Sequence, residues 1–213
     1  MSELKNGPFS GFTGRTGQLV GYRKKGKWIM AAVKATAPRP PSVLQLNQQM
    51  KFGLVTSWLG WIGDFIDLGF QHYDAKMSAM NAAVKYNLDN AVTGVSPNYV
   101  MDYPEVLFSR GRLAQAYSLE MATLTPAQLD FSWLANIGSV EAEPTDKAVF
   151  IVYNPLKDLF VVANGVVTRS ALSYDMALPT DFSGDTVQVY MAFVSADNKK
   201  VSTSYYAGAT AIL

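Results

Sequence analysis

The sequence predicts an α+β chain that is mainly β, with an N-terminal β-hairpin arm, a helical pair and a C-terminal immunoglobulin- or fibronectin-like β-sandwich. Three observations predict it. From about Tyr99 onward, short runs of period-two character recur between turn residues. Leu46, Met50, Leu54, Trp58 and Ile62 recur every four positions, the spacing of an amphipathic helix. Ahead of both, residues 7–21 (GPFSGFTGRTGQLVG) hold five glycines and lead into two β-prone runs around a Gly-containing turn. Of the 213 residues, 49% are hydrophobic and 16% charged, which is enough apolar material for a core and too little charge for a disordered chain.

The arm is placed at residues 1–41. Glycine raises the entropy cost of ordering, so the 7–21 stretch orders only if something packs against it. Leu19–Arg23 and Trp28–Val33 flank Lys24-Lys25-Gly26-Lys27 and read as a hairpin. Ala37-Pro38-Arg39-Pro40-Pro41 is a stiff connector that ends at Ser42, a good helix N-cap.

The helical region is placed at 42–98. Val43 and Val55 widen the stripe of the first helix, and Gly53, Gly60 and Gly63 weaken it, so a break is expected near 60–63. After a short segment from Asp64 to Phe70, a second helix over about Lys76–Asn90 carries Met77, Met80, Val84 and Leu88 on one face. The two helices are expected to pack as an antiparallel pair.

The sandwich is placed at 99–213, with strands at 105–109, 112–121, 128–135, 147–153, 158–163, 168–178, 185–195 and 200–212. Asn154-Pro155, Asn164-Gly165, Pro179 with Gly184, and Asp197-Asn198 mark turns between them. Seven or so short strands at this spacing define the sandwich expectation.

The inventory of reactive groups is thin. There is no cysteine, which excludes disulfides, thiolate metal sites and Cys nucleophiles. His72 is the single histidine, no G-x-S-x-G elbow accompanies it, and it reads as a partly exposed residue between helices. Asp64, Asp67 and Asp74 read as a solvated or helix-capping set, and Glu141, Glu143 and Asp146 as a polar linker. The glycine-rich stretch lacks G-x-x-x-x-G-K-[ST] and a surrounding βαβ unit, so it is read as close backbone packing. No catalytic residue, cofactor, metal or small-molecule substrate is expected, and the chain is read as non-enzymatic.

Charge gives the most specific signal. Residues 1–51 hold nine Lys or Arg against the single acid Glu3, a net of +8, and the remainder of the chain is net −7. The candidate interaction residues are Arg15, Tyr22, Arg23, Lys24, Lys25, Lys27 and Trp28. One reading is self-assembly, the basic arm of one copy attracted to the acidic region of the next, giving a homo-oligomeric ring or filament. A second is nucleic-acid binding by the hairpin through phosphates and stacking. A third is a phage-derived or surface binding module. No stretch reaches the roughly 20 apolar residues of a membrane span. The N-terminus MSELKNGPFSGFTGRTG has no apolar signal-peptide core, so a cytoplasmic location is expected, with release or a surface location left open.

A family resemblance accompanies these readings. Gly11-Phe12-Thr13-Gly14-Arg15-Thr16-Gly17-Gln18-Leu19-Val20-Gly21 resembles the opening of an uncharacterised family of bacterial proteins, mostly from Bacteroidota, catalogued as domain of unknown function family 6266. The resemblance continues through Gln45 to Phe52, Met80-Asn81-Ala82-Ala83, Tyr86-Asn87-Leu88 and Val106 to Gly111. It ends with Pro144 to Ala148 and Phe193 to Asp197, so it covers nearly the whole chain. One departure falls at Met30-Ala31-Ala32, where the family pattern has a basic residue shortly after the hydrophobic strand. The resemblance implies membership and carries over no functional residue.

Overall fold

The computed structural model describes residues 2–4, 11–24, 26–33, 40–72, 77–136 and 141–213. Lys25, Asp74, Lys76 and most of the 37–41 connector lie outside the described residues. The chain divides into two compact units, Met1–Ser42 and Val43–Leu213.

In the first unit, β1 (Ser2–Leu4), β2 (Gly14–Thr16), β3 (Leu19–Lys24) and β4 (Lys27–Ala32) form one antiparallel sheet in the order β1-β4-β3-β2. The expected hairpin is β3–β4, with Tyr22 opposite Ile29 and Arg23 opposite Trp28. The glycine-rich stretch supplies β2 and its turn. Gly17 opens that turn at a φ of 58°, a left-handed conformation that favours glycine. Phe12 crosses Gly21 so closely that a Cβ there would collide with its ring and carbonyl. The close-packing reading of this segment therefore has a concrete counterpart in the Phe12–Gly21 contact.

The second unit begins with α1 (Val43–Gly60), α2 (Gly63–Gly69) and α3 (Ala79–Asn90). The helix break falls where Gly60 and Gly63 predict it. The segment after it is itself a short third helix. Ser78 caps α3, its hydroxyl accepting from the Asn81 amide at 3.3 Å. The stripe on α1 is buried only from its middle onward. Val55, Trp58 and Leu59 are enclosed, whereas Leu46 and Met50 are 38% and 42% exposed, so the first turns reach beyond the core that the later turns cover.

A hairpin follows, β5 (Val92–Val95) and β6 (Asn98–Met101), joined through a cis Ser96–Pro97 bond. The boundary expected at 98/99 falls inside β6. Helices and sandwich share a core, so residues 42–98 are not a separate domain.

Among the described residues, seven strands build the sandwich: β7 (Tyr117–Ala122), β8 (Gln128–Leu134), β9 (Lys147–Asn154), β10 (Leu159–Thr168), β11 (Ser173–Ala177), β12 (Thr186–Val194) and β13 (Tyr205–Ala211). They form a four-stranded sheet, β10-β9-β12-β13, facing a three-stranded sheet, β11-β8-β7, both antiparallel. The fold is thus α+β, mainly β, with a fibronectin-like β-sandwich.

The segment expected as a strand at 105–109 is not one. A 3₁₀ turn at Tyr103–Glu105 leads into extended backbone whose amides bond to side chains instead of a ladder. Leu107 N–H donates to Asn87 Oδ1 at 2.9 Å and Phe108 N–H to Ser204 Oγ at 3.1 Å.

β9 and β12 are buried on both faces, which is why they read as apolar runs (KAVFIVYN, TVQVYMAFV) with little alternation. Ala148, Phe150, Val152, Val187, Val189, Met191 and Phe193 face the smaller sheet, packing with Leu129, Phe131, Trp133 and Met176. Val149, Ile151, Tyr153, Tyr190, Ala192 and Val194 face the helices. Trp58 of α1 sits edge-on to Tyr153, Phe160 and Tyr190, with ring centroids 5.6, 4.9 and 6.1 Å away. Burial pushes the Tyr190 phenol pKa far up, so it stays protonated and its O–H donates to the Tyr103 carbonyl at 2.9 Å.

Candidate interaction site

The pleat of the N-terminal sheet sorts the candidate residues onto two faces, because residues opposite each other across an antiparallel pair share a face. Arg15 pairs with Val20, Tyr22 with Ile29 and Lys24 with Lys27, so these six lie on one face with Ala31. Arg23 and Trp28 lie on the other face with Leu19 and Met30, and the guanidinium sits 5.6 Å from the Trp28 ring centroid. Lys25 lies outside the described residues. What reads in sequence as one basic-aromatic cluster is therefore divided. Arg15, Lys24 and Lys27 frame Val20, Tyr22 and Ile29, while the cation–π pair belongs to the opposite side.

The groups with chemical potential in the second unit are scattered. His72 is exposed at the end of α2, with Nε2 3.1 Å from the Lys199 carbonyl. Asp64 and Asp67 are exposed on α2. Among the described residues, no group of three or more His, Asp or Glu is placed to hold a metal ion. An open cleft of about 570 Å³ lies beside His72, lined among others by Arg110, Arg112, Lys199, Lys200 and Glu141. Lys200 pairs with Glu141 at 3.1 Å, and Arg110 stacks 5.3 Å from the Tyr86 ring centroid. Gly111 lets the wall of this cleft close, since a Cβ there would strike the Val201 carbonyl.

Two features escape local sequence reading. The first is Asp146, expected in a solvated linker. It is buried and holds Arg169, with Arg169 Nε 3.1 Å from Asp146 Oδ2. Arg169 also donates to the Ala114 carbonyl at 2.8 Å and to Asn136 Oδ1 at 3.2 Å, and lies 3.7 Å from the Phe193 ring centroid. Trp133 Nε1 donates to the Arg169 carbonyl at 2.9 Å. Burial draws the guanidinium pKa below its ordinary value, and Asp146 opposes that shift.

The second is the outer face of the three-stranded sheet. Asp130 lies directly opposite Asp175, and Glu120 lies opposite Ser132 one row along. Leu134 and Tyr117, 55% and 60% exposed, pair at its end. The strands β7, β8 and β11 contain no Lys or Arg. None of the ion pairs among the described residues involves these three acids. In the sequence these acids show only as part of the net −7 charge of residues 52–213, without the register that gathers them.

The fold and these surfaces define a β-sandwich protein with a separate small basic sheet. The chain belongs to the family described as "Family of unknown function (DUF6266)", whose model matches residues 11–208. No curated protein matches it. Among solved structures, the solution structure of the fn3 domain of human collagen alpha-1(XX) chain is similar at 16% identity and a TM-score of 0.34, over 47% of this chain and 86% of that one.

Proposed function

We propose that this is a structural, self-assembling protein whose copies associate through the N-terminal sheet. One observation carries the reading. Among the described residues from Gly11 to Val33, Gly21 alone is buried, while Val20, Tyr22, Trp28, Ile29 and Met30 are only partly covered. A sheet is stable when an apolar face is packed against another layer, and a unit of this size rarely supplies a core by itself. A second copy supplies that layer. Charge supports the same partner, since residues 1–42 carry eight Lys or Arg and one acid while the rest of the chain is net negative.

Nucleic acid is the competing partner for such a basic sheet. The division of its cations between two faces speaks for the protein reading, because Arg23 and Trp28 do not share a face with Lys24 and Lys27.

Light scattering after size exclusion tests the proposal. The full chain is expected to be oligomeric at moderate salt, and a chain beginning at Val43 to be monomeric with its fold retained, since that unit has its own core. A full chain that stays a monodisperse monomer overturns the reading. Association that appears only with added DNA or RNA and falls steeply with salt favours the nucleic-acid alternative.

A further inference from the structure

We infer that Asn164 is a site of spontaneous covalent modification: its side-chain amide is lost to attack by the Gly165 backbone nitrogen, leaving aspartate and isoaspartate in β10. The pair Asn164-Gly165 reads as a turn in the sequence, yet it lies inside β10. The ladder with β9 runs in step from Leu159 to Asn164, which is opposite Val149, and resumes at Thr168 opposite Lys147. Gly165, Val166 and Val167 are left outside the paired register, so the strand bulges at this point. Gly165 takes a φ of 65° there, a left-handed conformation that favours glycine.

The surroundings set this asparagine apart from the others. β10 is an edge strand, and Asn164 is exposed, its amide without a hydrogen-bond partner among the described residues. Asn87, by contrast, is buried in α3, its Nδ2 donating to the Ala83 and Leu107 carbonyls and its Oδ1 accepting from the Leu107 amide. Asn154 is followed by Pro155, which has no N–H to attack with. The nitrogen that follows Asn198, that of Lys199, already donates to Ser195 Oγ at 3.2 Å and Asp197 Oδ1 at 3.1 Å. No other described asparagine precedes a glycine, so elsewhere a side chain crowds the attacking nitrogen.

The chemistry needs only the chain and water. Gly165 N bonds to Asn164 Cγ, and the side-chain nitrogen leaves as ammonia, taking the backbone N–H proton with it. The product is a cyclic imide. Water then adds to one of its two carbonyl carbons and breaks that carbon's bond to the Gly165 nitrogen. Opening at Cγ gives aspartate at position 164. Opening at the backbone carbonyl leaves the chain running through Cγ, an isoaspartyl link. Nothing is oxidised or reduced. The link lengthens the backbone by one carbon where the ladder already breaks, so the pairing of β10 with β9 before it is kept. Either product also puts a carboxylate on a strand whose 10 residues hold no charged side chain. Charge on an edge strand opposes edge-to-edge pairing with another sheet.

Peptide mapping by mass spectrometry tests the assignment on the full chain, incubated in mildly alkaline buffer made with heavy-oxygen water. Asn164 is expected to convert at least about tenfold faster than any other described asparagine, because glycine leaves the attacking nitrogen open. The product is expected to carry one heavy oxygen and to include isoaspartate, read by enzymatic methylation with labelled S-adenosylmethionine. Asn6-Gly7 falls in a separate peptide and does not enter the comparison. Asn164→Gln, which would have to close a larger ring, is expected to keep its amide over the same period and to melt like the native chain. If Asn164 keeps its amide in the folded chain while the urea-unfolded chain loses it, β10 shields the site and the inference is overturned. Conversion to aspartate without isoaspartate overturns the ring route. Conversion of Asn164 no faster than that of Asn98 or Asn198 overturns the selection of this position.

Discussion

Replacing Arg169 with leucine is expected to lower the unfolding free energy by about 3–5 kcal/mol, the range for removing one partner of a buried ion pair. The loss comes from what is left behind. Asp146 is 1% exposed, and without the guanidinium its carboxylate keeps, among the described residues, only the Glu143 amide, 3.0 Å away. The carbonyl of Ala114 loses its donor as well. Urea denaturation of the native chain, Arg169→Leu, Asp146→Leu and the double variant gives the full cycle. The double variant is expected to be more stable than the sum of the single losses predicts, because it removes both charges together. A single variant within about 1 kcal/mol of the native chain would mean that water reaches Asp146 and that the pair is not enclosed.

Trp58→Ala is expected to cost about 3–5 kcal/mol, the range for emptying a large aromatic site. Trp58 is 4% exposed and touches Tyr153, Phe160 and Tyr190, so the cavity opens where α1 meets the four-stranded sheet. Its Nε1 is buried with no hydrogen-bond partner. Phenylalanine therefore removes volume and no hydrogen bond, and Trp58→Phe is expected to cost only about 1–2 kcal/mol. Equal costs for the two variants would show that the indole N–H matters more than its packing. The same denaturation series provides the readout, and both variants should keep a single transition.

The sequence reveals the parts of this fold that depend on near neighbours. The β3–β4 hairpin follows from two β-prone runs and the turn residues between them, and the end of α1 follows from Gly60 and Gly63. The doubly buried strands are visible as apolar runs, although a run does not say what covers it. The missed features depend on distant partners. The 105–109 segment has strand-like composition, but its amides are claimed by Asn87 and Ser204, 20 and 96 residues away from Leu107 and Phe108. Asp146 has the sequence surroundings of a linker, and Arg169 is 23 residues further along. The basic cluster was visible as composition, yet the assignment of Arg23 and Trp28 to the opposite side from Tyr22 and Lys24 required the strand register. The acids of the outer sheet face are spread from Glu120 to Asp175 and meet only through the pairing of β7, β8 and β11.

The helix layer also settles the orientation of the sandwich. In a two-sheet sandwich standing alone, each sheet turns one side to water, and either side is open to a neighbour. Here α1, α2 and α3 occupy the back of β10-β9-β12-β13, so that broad side is spent inside the molecule. Taken by itself, the second unit consequently has a front and a back, and the smaller sheet is its front. In the proposed assembly, a neighbour that docks on a flat sheet surface of the sandwich meets it from one direction, and successive copies then share a polarity without a separate device to impose it.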